Sequence, residues 1–196
     1  MDDNIAIIDI GSGNLQSVQK VLKYLGKDSE IIVNPEKISK FDKVILPGVG
    51  NFGKVMEGIR SRGFETPIKE IINQNTKFLG ICVGMQVLFE SSDESPGCPG
   101  LCSFKGKVLK FQKGKIPQIG WNLLEPRESK IISKGYVYYV NSYYVQPENE
   151  SLISATSDYY GEFTGAIQFK NLTAVQFHPE KSGEYGIEFY RRWLSC

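Results

Sequence analysis

The first 90 residues alternate short apolar runs with amphipathic stretches, and that alternation limits the chain to few folds. Residues 4–10 are an almost unbroken apolar run, as a parallel strand buried on both faces requires. Gly11-Ser-Gly-Asn14 breaks it, Val18, Val21, Leu22 and Leu25 recur at helical spacing, and Gly26 sits where a helix would end. Further strands are expected at 30–33, 43–46 and 78–82, the one at 43–46 running into Pro47-Gly-Val-Gly50. Helical patterns cover about 52–60 and 65–74, and another begins at 85–89. Strands and helices joined by short connections imply right-handed βαβ units around a parallel sheet.

After about residue 104 the pattern changes. Short β-rich runs at 108–111, 136–140, 152–155, 165–169 and 174–177 have few helices between them, and predict an antiparallel extension of the same sheet. A helix at 185–194 closes the chain, and the Ser-, Gly- and Pro-rich segment 91–102 is expected to be a surface loop. The fold class predicted is α/β: one domain over 1–196, with an open, mixed, mainly parallel sheet flanked by helices.

Composition removes several function classes. Lys and Arg number 23 against 22 Asp and Glu, a formal charge of +1, so no basic field would draw nucleic acid or an anionic membrane. Met1-Asp2-Asp3-Asn4 lacks the positive start of a secretory signal, and no apolar stretch nears the ~20 residues that span a bilayer. A cytosolic protein is expected. Cys82, Cys98, Cys102 and Cys196 are then poor candidates for disulfides. A C-x3-C spacing with one histidine in the chain is a poor zinc site, so neither metal nor cofactor is expected.

Gly80-Ile-Cys-Val-Gly84, between an apolar strand and a helical pattern, fits a nucleophile elbow. A sharp strand-to-helix turn strains the central residue, and flanking glycines remove the side chains that would collide there. Cys82 would sit at a helix N-terminus, where free amides favour a thiolate and Val83 N–H could receive an oxyanion. A cysteine nucleophile needs a base, and the one histidine, His178, lies in Gln176-Phe-His-Pro-Glu180. If that segment is extended, His178 and Glu180 share a face, so the carboxylate could orient the ring. Pro47-Gly-Val-Gly50 should reach the same sheet edge as Cys82, and could supply a second oxyanion amide. It is no phosphate loop, and Gly11-Ser-Gly-Asn14 lacks the third glycine of a dinucleotide fingerprint.

Leu46-Pro-Gly-Val-Gly-Asn-Phe52, Gly80-Ile-Cys-Val-Gly-Met-Gln86, Gly120-Trp-Asn122 and Phe177-His-Pro-Glu-Lys-Ser182 together resemble the class I (triad) glutamine amidotransferases, over essentially the whole chain. Within that class the strings look most like the glutaminase subunits of imidazole glycerol phosphate synthases, from histidine biosynthesis. The resemblance implies a flavodoxin-like sheet, with Cys82 as nucleophile, His178 as base and then acid, and Glu180 as orienter. It implies oxyanion donors from Val49, Gly50 and Val83, and glutamine contacts from Gly50, Gln86, Ser142 and Tyr143. Trp121, Asn122, Tyr138 and Lys181 would face a (β/α)8 synthase barrel that takes ammonia through an internal passage and makes imidazole glycerol phosphate and AICAR. Many relatives have a histidine where this chain has Asn141, a departure outside the triad.

Other readings stay open on sequence alone. One is a paralogous amidotransferase subunit that supplies ammonia to aminate a surface-polysaccharide sugar. Others are a stand-alone cysteine γ-glutamyl hydrolase and a non-catalytic interaction subunit; an intact Cys82, His178 and Glu180 weigh against the last.

Overall fold

The computed structural model describes residues 4–74 and 76–195, so Asp2, Asp3 and Cys196, used in the sequence analysis, lie outside the described residues. Strands β1 (Ile5–Ile8), β2 (Ser29–Ile32), β3 (Lys43–Gly48) and β4 (Lys77–Cys82) pair in parallel in the order β2-β1-β3-β4. Every residue of β1 and β3 is buried, because helices cover both faces of a parallel sheet. Helix α1 (Leu15–Tyr24) turns Val18 and Leu22 into the core. It ends where Gly26 takes φ +72°, which lets Gly26 N–H reach Lys23 O and Lys27 N–H reach Leu22 O. Helices α2 (Phe52–Ser61) and α3 (Glu65–Asn73) bury one apolar stripe each, Phe52, Val55, Met56 and Ile59 on the first and Ile68, Ile71 and Ile72 on the second.

The helix expected at 85–89 is instead the single turn α4 (Val83–Gln86). The carbonyls that would continue it bond elsewhere: Val87 O accepts from Leu101 N–H at 2.7 Å, and Leu88 O accepts from Ser103 and Phe104. The returning 91–102 segment thus competes with the helix for its backbone acceptors. That segment contributes the two-residue strand β5 (Ser91–Ser92).

The second half supplies β6 (Gly106–Lys110), β7 (Gln118–Pro126), β8 (Gly135–Asn141), β9 (Tyr143–Pro147), β10 (Ile153–Asp158), β11 (Glu162–Phe169) and β12 (Leu172–Val175). β12 lies parallel to β4, and β11, β10, β7 and β8 continue from it antiparallel, completing a nine-stranded sheet. The antiparallel extension is therefore present, with one correction. The run at 108–111 does not join it; β6 pairs with β5 and β9 in a separate three-stranded sheet. β7 and β9 were not anticipated: the glycine and polar residues of Gln-Ile-Gly-Trp-Asn hide the first, and two tyrosines followed by Gln and Pro hide the second. Helix α5 (Gly183–Ser195) closes the chain, with Phe189, Tyr190 and Trp193 buried and Lys43 Nζ donating to Leu194 O at 2.7 Å. No helix among the described residues is long and apolar enough to cross a membrane.

Candidate active site

The C-terminal ends of β3 and β4 are in register, with Gly48 opposite Cys82. Cys82 adopts φ 55° and ψ −111°, a region that L-residues rarely enter, and its chain then turns into α4. Such strain persists only where the surroundings enforce it. Here the enforcement is close backbone packing: a Cβ on Gly84 would run into Leu46 O, and one on Gly48 would lie 2.6 Å from Gly84 N. The elbow therefore needs glycine both at the end of β3 and in the turn of α4. At Gly50 the requirement is conformational instead, since its φ is +94° and open space surrounds the missing Cβ.

His178 arrives from the antiparallel half, and by a different route from the extended one expected. β12 ends at Val175, and His178 N–H bonds Tyr138 O at 2.9 Å, so the segment leans on β8. Pro179–Lys181 then forms a 3-10 turn, closed by Lys181 N–H to His178 O at 3.0 Å and by Ser182 Oγ to the same carbonyl at 2.7 Å. This turn, rather than strand periodicity, brings Glu180 Oε1 within 2.9 Å of His178 Nδ1. Both side chains are almost wholly buried.

Burial works against a charge on His178, but hydrogen bonds to Cys82 and Glu180 outweigh it and push the imidazole pKa up to about 10. The ring is therefore held as imidazolium between a sulfur and a carboxylate. Tyr190, buried behind, has its phenol raised well above the ordinary value, by burial first and then by the charge of Glu180.

A second set of side chains surrounds the sulfur. Gln176 Nε2 donates to Cys82 Sγ at 3.6 Å, and Gln86 Nε2 donates to Gln176 Oε1 at 3.0 Å and to Tyr143 O at 3.2 Å. Gln86, named from the sequence as a glutamine contact, thus has its NH2 group engaged by protein, which leaves Oε1 for a ligand.

A pocket of about 570 Å³ opens over Cys82 and His178, within the range of small-molecule sites. Val49, Gly50, Val83, Gln86, Ser142 and Tyr143, the sequence-predicted oxyanion and substrate residues, all line it. Asn141 lines it too; its Nδ2 donates to Tyr143 O at 3.0 Å.

Glu94, unmarked in the sequence, is a pocket-lining carboxylate whose Oε2 accepts Phe52 N–H at 2.7 Å. Partial burial, then the charges of Glu94 and Asp93, raise the pKa of the Tyr143 phenol, which places Glu94 near Tyr143. Only the position of the 91–102 loop identifies Glu94; no local motif marks it.

The four residues assigned to a partner surface stand in different settings. Trp121 and Tyr138 are opposed on β7 and β8, their rings 5.9 Å apart edge to face, and Trp121 is 56% exposed. Exposed Ile119 and Tyr136 extend that apolar face on the same two strands. Asn122 projects to the other side, where its Nδ2 donates to Asp158 O at 2.7 Å. Lys181 belongs to the rim of the pocket.

A family model described as Glutamine amidotransferase class-I matches residues 6–194. The chain belongs to the class I glutamine amidotransferases. It is 44% identical over 202 residues to the imidazole glycerol phosphate synthase subunit HisH of Pyrococcus furiosus, covering 97% of this chain and 98% of that protein. To subunit HisH 1 of Methanococcus maripaludis it is 43% identical over 199 residues, with the same coverage. Among solved structures, PurLQS from Thermotoga maritima superposes with a TM-score of 0.80 at 15% identity, covering 100% of this chain and 99% of that one. At that identity the likeness speaks for the fold alone.

Proposed function

We propose that the chain is the glutaminase subunit of an imidazole glycerol phosphate synthase, hydrolysing L-glutamine to glutamate and ammonia for a partner subunit. The observation behind the chemistry is the buried pairing of His178 with Glu180 at 2.9 Å, with the strained Cys82 close enough to help raise the pKa of the same ring. Near-full-length relatives at 43–44% identity, named as that subunit, support the pathway.

In this mechanism the Cys82 thiolate attacks the side-chain amide carbon of glutamine. The carbonyl electrons move to oxygen, where Val83 N–H and an amide of the Val49–Gly50 segment receive the oxyanion. The His178 imidazolium gives its proton to the departing nitrogen, the C–N bond breaks, and neutral ammonia leaves a thioester. The neutral ring then takes a proton from water, the hydroxide adds to the thioester, and collapse expels the Cys82 thiolate with glutamate. Glu180 keeps the ring oriented and offsets its charge throughout. Binding follows the charges of the pocket: among the described residues Glu94 is its one lining carboxylate, and it suits the α-ammonium of glutamine. The backbone of Ser142 and Tyr143 suits the α-carboxylate.

Ammonia freed into neutral water would be protonated and lost, so a docked acceptor is needed. The exposed Ile119–Trp121–Tyr136 face is the docking surface in this reading, and the acceptor subunit is a (β/α)8 barrel. The setting is the cytosol. Glutamate release is measured from purified chain and glutamine, with and without the synthase subunit and its nucleotide substrate. Strong stimulation is expected with both present. Full activity alone, unchanged on adding them, would defeat the proposal.

A further inference from the structure

We propose that Gln176 is a working partner of the nucleophile: its side-chain amide donates to the Cys82 sulfur, favours the anion and aims it, while Gln86 holds Gln176 in the required orientation. This deepens the glutaminase reading and rests on it.

Gln176 is wholly buried, so no bulk water competes for its amide. Its Nε2 lies 3.6 Å from Cys82 Sγ, a hydrogen-bond distance for the larger sulfur atom. A side-chain amide can be turned end for end, and the wrong way round it would set an oxygen against a thiolate. The choice is made two residues away. Tyr143 O is a backbone carbonyl and can only accept, so Gln86 must present its NH2 there, at 3.2 Å. The second hydrogen of that NH2 then faces Gln176 at 3.0 Å, where only an oxygen is favourable. With Oε1 committed to Gln86, the NH2 of Gln176 is left to face the sulfur. Asn141 Nδ2 reinforces the origin of this relay by donating to Tyr143 O.

The relay starts on the strand proposed to hold the substrate α-carboxylate and ends on the attacking atom. The charged groups around the sulfur are His178, Glu180 behind it, and Glu94 and Lys181 on the pocket wall. Of the sulfur's hydrogen-bond partners, His178 must give up its proton during turnover. Gln176 carries no titratable proton, so it serves the thiolate both as attacker and as leaving group.

The test is iodoacetamide alkylation of Cys82 in the full chain across pH, read on the Cys82 peptide by mass spectrometry, beside steady-state glutamate release. Gln176→Met keeps the length without the donor. Loss of a hydrogen bond to a charged group should slow alkylation at pH 7 roughly tenfold and move the profile to higher pH. kcat should fall by a similar factor, with KM within about twofold. Gln176→Glu, which sets an acceptor against sulfur, should be worse, and Gln86→Met should shift the profile less, in the same direction. A folded variant of either residue with the wild-type alkylation profile would overturn the inference, and the three variants guard against any one failing to fold. Alkylation requires neither glutamine nor partner. Absence of glutamate release from the wild type would therefore count against the glutaminase reading, while the alkylation profile would still decide the role of Gln176.

Discussion

The parallel and antiparallel halves of the sheet build the site in different ways. The parallel half presents Val49, Gly50, Cys82 and Val83 on two adjacent strand ends, in register and within short stretches of chain. Its demands are steric: glycines at 48 and 84 allow backbone to approach backbone. The antiparallel half supplies His178, Glu180, Gln176 and Tyr143 from segments whose positions depend on pairing with distant strands, as when His178 N–H bonds to Tyr138 O. Its demands are electrostatic and concern hydrogen bonds. The strained cysteine is made locally, and the groups proposed to activate it are assembled over long sequence distances.

That contrast can be tested from either side. Cys82→Ala removes the proposed attacking atom and should lower kcat for glutamate release by on the order of 10³-fold or more, with no trappable thioester. Glu180→Gln leaves the ring without its counter-charge, and a loss of about 100-fold or more in kcat is expected, smaller than for the nucleophile.

The same variant has a sign that pH can read. His178 is protonated below about pH 10, so its own contribution to the alkaline limb of wild-type kcat/KM should fall near there. Removing the carboxylate lowers the imidazole pKa, so the limb should move to lower pH; titration of the glutamine amine is common to both proteins and cancels. An unmoved limb would mean that Glu180 does not support the charge.

On the proposed docking face, Trp121→Ala should weaken synthase binding by about 2 kcal/mol, roughly 30-fold in Kd, while basal glutaminase activity stays unchanged. Calorimetric titration and the unstimulated assay measure the two. Gly84→Ala should cost about 1–3 kcal/mol of stability through overpacking against Leu46 O, seen as a lower Tm. If the elbow relaxed instead without loss of stability, the steric account of the parallel half would be wrong.

The legibility of the site follows the same division. Cys82 could be found from five residues, because a strained turn between a buried strand and a helix leaves a glycine signature. His178 and Glu180 could be paired from sequence, but the reason given, alternation along a strand, was not the one that operates; a proline-started 3-10 turn does the work. Glu94 was invisible, since an acid in a polar loop looks like any solvated acid until the loop is seen closing against α2. Asn122 and Trp121 are neighbours in a motif, yet β7 sends them to opposite faces.

The chain's own residues thus determine the βαβ alternation, the elbow and the cysteine, histidine and carboxylate that are candidates for the chemistry, because periodicity and turn chemistry act over a few residues. Tertiary structure decided which sheet each later strand joined, where α4 stopped and which amide hydrogens reach the sulfur. Those outcomes rest on backbone hydrogen bonds and close packing between segments tens of residues apart, and such partners leave no local mark at either end.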